Sequence, residues 1–367
     1  MDRRGFLKSI SMLPAAAAAT TLPGVVHTAL AANDSTAAWR TFEITTRVEI
    51  LNPEGKTRVW LPMPLVASTD YQHNLGYDKW NGNGSSAHVD QLPHYSTDVL
   101  YAGWSADDPK PQLELVSRAA TRDRIIDFNR PSNPHPESEA TLAFYRRPTA
   151  HIPTDGLVKS TADRIVRGYD SDMDKAHAIY EWIVENTFRD PKVRGCGTGN
   201  ILFMLKSGNL GGKCADLNAL FVGLARAAGI PARDVYGVRV APSTTFHCLG
   251  THGPDCTKAQ HCRAEFYHAD YGWIPVDPAD VRKVVLEEKP GLNLQSRIVQ
   301  RARAKLFGGW EMNWLALSYA QDVTLPGATQ GPINFVMYPQ CETGSARVDS
   351  LAPKHFRYTI TSREIKA

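Results

Sequence analysis

Residues 211–233 read GGKCADLNALFVGLARAAGIPAR, and this stretch decides how the second half of the chain folds. From Cys214 onward, Leu217, Leu220, Phe221, Leu224 and Ala228 recur three and four positions apart, which lines one stripe of a helix over about 214–228. Gly229 suits the position beyond the last turn, and Pro231 prevents continuation. Cys214 therefore falls at the helix start, where unpaired N–H groups and the helix dipole favour an anion. An isolated cysteine at such a place is usually a packing residue. A thiolate is the nucleophilic form, however, and a helix start with an imidazolium nearby can bring a thiol from about 8.5 down to about 3.5–7.5.

Working outward, extended segments follow the helix at ARDVYGVRV (232–240), QHCRAEFYH (260–268) and GWIPVD (272–277). Alternation along QHCRAEFYH puts His261, Arg263, Glu265 and Tyr267 on one face and Cys262, Ala264, Phe266 and His268 on the other. The second set is the better core face. Tyr271-Gly272 makes a turn, and WIPVD returns antiparallel, bringing Asp277 toward the His261 end of the hairpin. Upstream, Ala176, Ile179, Tyr180, Ile183 and Val184 mark a helix that begins near Ser171 with acids at its front. Helices first and antiparallel strands after indicate an α+β domain, here over 150–345.

The front of the chain differs. In WRTFEITTRVEI, Phe42, Ile44, Thr46, Val48 and Ile50 alternate with Glu43, Thr45, Arg47 and Glu49, the pattern of a half-buried strand. Further extended runs at TRVWLPMP, QLELVSRAAT and RDRIIDF, without any useful helical period, predict an antiparallel β-sandwich over 39–135. RPSNPHPESE (130–139) reads as a linker or exposed crossing between domains, and residues 346–367 as a C-terminal strand segment.

With 367 residues, 43% hydrophobic and 22% charged, and a formal charge of +3, the chain is an ordinary globular one with no basic patch for nucleic acid. Residues 1–31, with MDRRGFLK, a modestly apolar stretch and Ala29-Leu30-Ala31, resemble a bacterial twin-arginine export signal. They imply a periplasmic protein with no stable membrane insertion after cleavage. Cysteines stand at 196, 214, 248, 256, 262 and 341. In an oxidising compartment a Cys248–Cys256 disulfide is the favoured pairing, with free thiols as the alternative. Residues 170–181 place carboxylates as a calcium loop does, but Lys175 occupies the position that needs glycine, so helix capping explains them better.

GGKCADLNALFVGLARAAGIPAR, HCRAEF and GWIPVDPAD resemble three blocks of the transglutaminase-like superfamily. FGGWEMNWLALSYAQDVTL and NFVMYP resemble the tail of its bacterial members, so the resemblance spans about 150–345. It implies a papain-like core in which Cys214 is the nucleophile, His261 the base and Asp277, followed by Pro278, the residue that orients it. The strand-rich front is similar to an accessory domain found before that core. Arg263 stands where many members have Trp. The implied function is an exported cysteine-dependent peptidase or amidase acting through a thioester on a peptide or protein of the cell envelope, with no cofactor and no metal. A protein-glutamine transglutaminase and a non-catalytic binding module are the alternatives. For the oxyanion, the Cys214 N–H is one expected donor and Asn209 a candidate for the second.

Overall fold

The computed structural model describes residues 38–108 and 110–366; the segment read as an export signal lies outside them. In chain order the front of the molecule is β1 (Arg40–Ile50), β2 (Thr57–Pro62), β3 (Gln72–Gly82), β4 (Ser86–Leu92), β5 (Thr97–Trp104), β6 (Gln112–Thr121) and the short β7 (Arg124–Ile125). Next come α1 (Glu139–Phe144), α2 (Gly156–Ile165), α3 (Asp172–Asn186), β8 (Phe188–Arg189), α4 (Ile201–Ser207), β9 (Gly211–Gly212) and α5 (Cys214–Ala227). They are followed by β10 (Ala232–Arg239), β11 (Gln260–His268), β12 (Gly272–Val276), α6 (Pro278–Glu287) and α7 (Arg297–Lys305). The chain closes with β13 (Gly309–Trp310), β14 (Trp314–Ser318), β15 (Gln321–Val323), β16 (Ile333–Phe335), β17 (Gln340–Thr343), β18 (Ala346–Val348) and β19 (Phe356–Ile365).

Two antiparallel sheets, β19-β1-β6-β3 and β18-β17-β2-β5-β4, make the sandwich. The alternation of β1 is realised as read: Phe42, Ile44, Thr46, Val48 and Ile50 are buried and Arg47 is exposed. Val48 and Ile50 meet Val59, Leu61, Leu100, Trp104, Leu115 and Phe356 in the space between the sheets. Strands from the far end of the chain complete both sheets. β19 pairs along the length of β1, from Thr41 opposite Ile365 to Ile50 opposite Phe356, and β17 pairs with β2. The last thirty residues are thus integral to the sandwich rather than appended to the second half.

The second half is an α+β core. Its sheet runs β12-β11-β10-β14, with α5 lying on β11 and β10 and with α2, α3 and α6 around α5. All fourteen residues of α5 are buried, which corrects the expectation of a single apolar stripe. Neighbouring helices enclose the other side, and its polar groups are satisfied internally: Arg226 Nε donates to Ala232 O at 2.8 Å and Asn218 Nδ2 to Cys262 O at 2.8 Å. β11 is likewise buried on both faces. Cys262, Ala264 and Phe266 join the helical core, while Arg263 and Glu265 are 2% and 0% exposed on the side toward the sandwich.

The stretch 130–139 is a largely exposed crossing, fastened at two points. Asn133 Nδ2 donates to Tyr267 Oη at 3.0 Å and Ala269 O at 2.8 Å, and Trp273 Nε1 donates to Glu137 at 2.7 Å. Through the rejected calcium loop the chain is helical from Asp172, with Ser171 Oγ accepting from the Asp174 N–H at 3.1 Å.

Candidate active site

Why the chain enters α5 at Cys214 is visible in a cradle of close backbone contacts. Asp216, the third residue of the helix, accepts from Lys213 N at 3.0 Å with one oxygen, and from Thr198 N at 2.9 Å and Gly199 N at 3.0 Å with the other. Ala215 N donates to Cys196 O at 2.9 Å. The loop RGCGTGN is thereby stitched to the first turn, a course that needs φ of +57°, +93° and +71° at Gly195, Gly197 and Gly199. A Cβ at Gly197 would lie 1.9 Å from Asp216 Oδ2. Gly197→Ala is therefore expected to displace the loop at a cost of at least about 1–3 kcal/mol. Urea unfolding checks this, and a stability equal to wild type would contradict the placement of the loop.

Cys214 is the first residue of α5, and an amide there has no intrahelical acceptor. Its sulfur lies with those of Cys196 and Cys262, all three within 4.8 Å of one another. The adjacent Cys196 and Cys262, then His261 and its charge, hold the Cys214 thiol well below its ordinary range in spite of burial. The neighbours move the opposite way: Cys196, chiefly through Cys214 beside it, and Cys262, chiefly through burial, are both pushed up. The negative charge of the trio thus concentrates on Cys214.

His261 comes from the start of β11, and Asp277 from the N-cap of α6. The hairpin register, Ala264 opposite Val276, brings Asp277 back alongside. His261 Nε2 is 2.7 Å from Asp277 Oδ2 and 3.3 Å from Asp280 Oδ2. Nδ1 is the ring nitrogen left for Cys214, whose ionised form the imidazole favours. Burial and the nearby Arg239 disfavour a charged imidazole, but Asp280 and Asp277 outweigh them and raise His261 to about 9.

Several further groups fix this arrangement. Asn218, one turn after Cys214, donates to Asp277 Oδ1 at 3.2 Å, and the Asp280 N–H caps the same oxygen at 3.0 Å. Arg239 grips both oxygens of Asp280 at 2.7 and 2.8 Å. Arg263, at the position where many members of the superfamily have Trp, sets its Nε 3.6 Å from Asp277 Oδ2 and its guanidinium 4.6 Å above the Trp314 ring. Burial is the main reason that its pKa falls to about 10. Two carboxylates and two guanidiniums cancel, so an imidazolium and a thiolate can coexist here without net buried charge.

The structure thus brings Cys214, His261 and Asp277 into one buried cluster. Asn209 stays outside it: exposed, it closes its own turn by accepting from Gly211 N at 3.0 Å. The favoured disulfide is corrected as well, because all six cysteines are free. Cys248 N is held by Glu288 at 2.9 Å, after α6, whereas Cys256 N donates to Ile360 O of β19 at 2.8 Å. Sequence reasoning missed Cys196, Asn218, Arg239 and Asp280. Usable signals existed in the glycines at 195, 197 and 199, in Asn218 four positions after Cys214, and in Asp280 three after Asp277.

Known proteins agree with this architecture. The model of the transglutaminase-like superfamily matches residues 159–278. An uncharacterized protein of Haemophilus influenzae is 34% identical over 344 residues, covering 88% of this chain and 91% of its own. Among solved structures, a candidate cysteine protease from Cytophaga hutchinsonii superposes with a TM-score of 0.53 at 13% identity, covering 90% of this chain and 92% of the other. The family model places the core of this chain, residues 159–278, in the transglutaminase-like superfamily, and the superposition shows the same fold. Among the described residues no helix is long and apolar enough to cross a membrane.

Proposed function

We propose that this protein is an exported, periplasmic cysteine hydrolase that cleaves amide bonds of a peptide or protein substrate through Cys214, His261 and Asp277. The observation that carries the reading is the His261–Asp277 contact of 2.7 Å beside a thiol held well below its ordinary range. The Cys214 thiolate attacks the amide carbonyl. As the C–N bond breaks, the imidazolium passes its proton to the leaving amine, and a thioester remains on Cys214. His261, now neutral, takes a proton from water; the resulting attack releases the carboxylic acid and restores the thiolate–imidazolium pair. Asp277 keeps Nε2 protonated, so that Nδ1 faces the sulfur. The Cys214 N–H donates to the oxyanion. Export rests on the residues MDRRGFLK and Ala29-Leu30-Ala31.

The test is the pH dependence of Cys214 alkylation by iodoacetamide, together with that of peptide turnover. A depressed thiol reacts on a plateau that begins below pH 7, and His261→Ala moves the onset of that plateau upward. Turnover falls above about pH 9, because His261 then loses the proton it must deliver. A Cys214 that stays inert until denaturation, or whose profile His261→Ala leaves unchanged, overturns the reading.

A further inference from the structure

Acyl transfer employs one sulfur, yet three meet at the start of α5. Cys196, Cys214 and Cys262 are 6%, 4% and 0% exposed, and they arrive on three separately fastened segments: the glycine loop, the helix and β11. Met337 Sδ lies 3.8 Å from Cys262 Sγ, and the Cys196 thiol donates to Gln260 O at 3.3 Å. The Cys196 and Cys262 thiols have no chemical step in the hydrolysis.

We propose that Cys196, Cys214 and Cys262 form a binding site for one thiophilic divalent cation of the zinc and cadmium class, with the three sulfurs as its protein ligands. Donor type is the first reason, since thiolates select soft and borderline metals. Spacing is the second. At a Zn–S length of about 2.3 Å, tetrahedral ligand sulfurs stand about 3.8 Å apart, and the observed separations within 4.8 Å close to that by about 1 Å or less. Charge is the third. Three thiolates and a divalent cation leave one negative charge beside the His261 imidazolium, which balances it in a buried place where an unpaired charge is costly. As the metal–sulfur bonds form, Cys196 and Cys262 each give a proton to solvent. The fourth position is left to water or to the Met337 thioether.

A cation so held occupies the lone pair with which Cys214 would attack, so metal binding and acyl transfer exclude one another. That consequence alone rests on the proposed hydrolase reading. The site itself is tested without turnover, by adding cadmium to the reduced full chain and following sulfur-to-cadmium charge-transfer absorption. One equivalent should saturate the band. Cys196→Ser and Cys262→Ser should each weaken binding by at least about 100-fold, the upper range for loss of an outer-shell partner, whereas Cys248→Ser and Cys256→Ser should not change it. X-ray absorption at the zinc edge of wild type, which needs no variant to fold, should find three sulfurs at about 2.3 Å. Absence of the band, its persistence in both Cys196→Ser and Cys262→Ser, or fewer than three sulfurs overturns the site. A protein that hydrolyses peptides without the band loses the metal site and keeps the hydrolase; one that shows the band without turnover does the reverse.

Discussion

Cys214→Ala is expected to lower peptide-amide turnover by about 10⁴-fold or more, because removing the proposed nucleophile of a unit that acts together forfeits nearly everything the unit contributes. The effect should fall on kcat, with substrate binding largely retained, since the thiol forms its bond only on the way to the transition state. Stability should move little. The substitution removes a buried charge along with a small side chain, and Asp216, two residues on, still stitches the loop to the helix. Turnover of wild type and variant on one peptide pool, with circular dichroism to confirm the fold, checks this. Residual turnover within about tenfold of wild type would place the chemistry elsewhere.

The largest effect on stability is expected at Glu265, in the seam between the sandwich and the helical core. Its carboxylate is 0% exposed. It receives Arg233 Nε at 2.7 Å, Tyr71 Oη at 3.4 Å and, from β7, the Arg124 guanidinium. Burial alone would raise its pKa, but Arg233 and Arg124 outweigh this and lower it. Arg233 in turn lies 3.8 Å from the ring centres of both Trp273 and Tyr319. Glu265→Ala leaves two buried guanidiniums facing a void, and breaking such a pair costs about 3–5 kcal/mol. A lower urea midpoint at unchanged slope is the expected signature; a loss below about 1 kcal/mol would mean that water replaces the carboxylate.

Elements whose residues face one environment are legible in the amino-acid pattern. β1 alternates because one face meets the sandwich core and the other meets solvent or ion pairs, and the five buried positions of α3 lie three and four apart for the same reason. β3, β4 and β5 are not legible in this way. β4 has no buried residue, and β3 carries its register across two irregularities against β6, so neither writes an apolar period. In the site, Cys214, His261 and Asp277 could be marked because each sits at an element boundary with a local signature: a helix start, a strand start and an Asp-Pro N-cap.

By itself, then, the amino-acid sequence determined the elements with a single buried face and their order, since capping, alternation and helical period depend on near neighbours alone. The grouping of Cys214, His261 and Asp277 came from the family resemblance of their surrounding blocks. Only the tertiary structure decided that residues 340–365 close the sandwich of residues 40–121, that both faces of β11 are buried, and that Cys196 and Cys262 join Cys214. Those outcomes depend on pairings between segments far apart in the chain. No local period records them, because the free energy that selects them comes from burying two distant surfaces together.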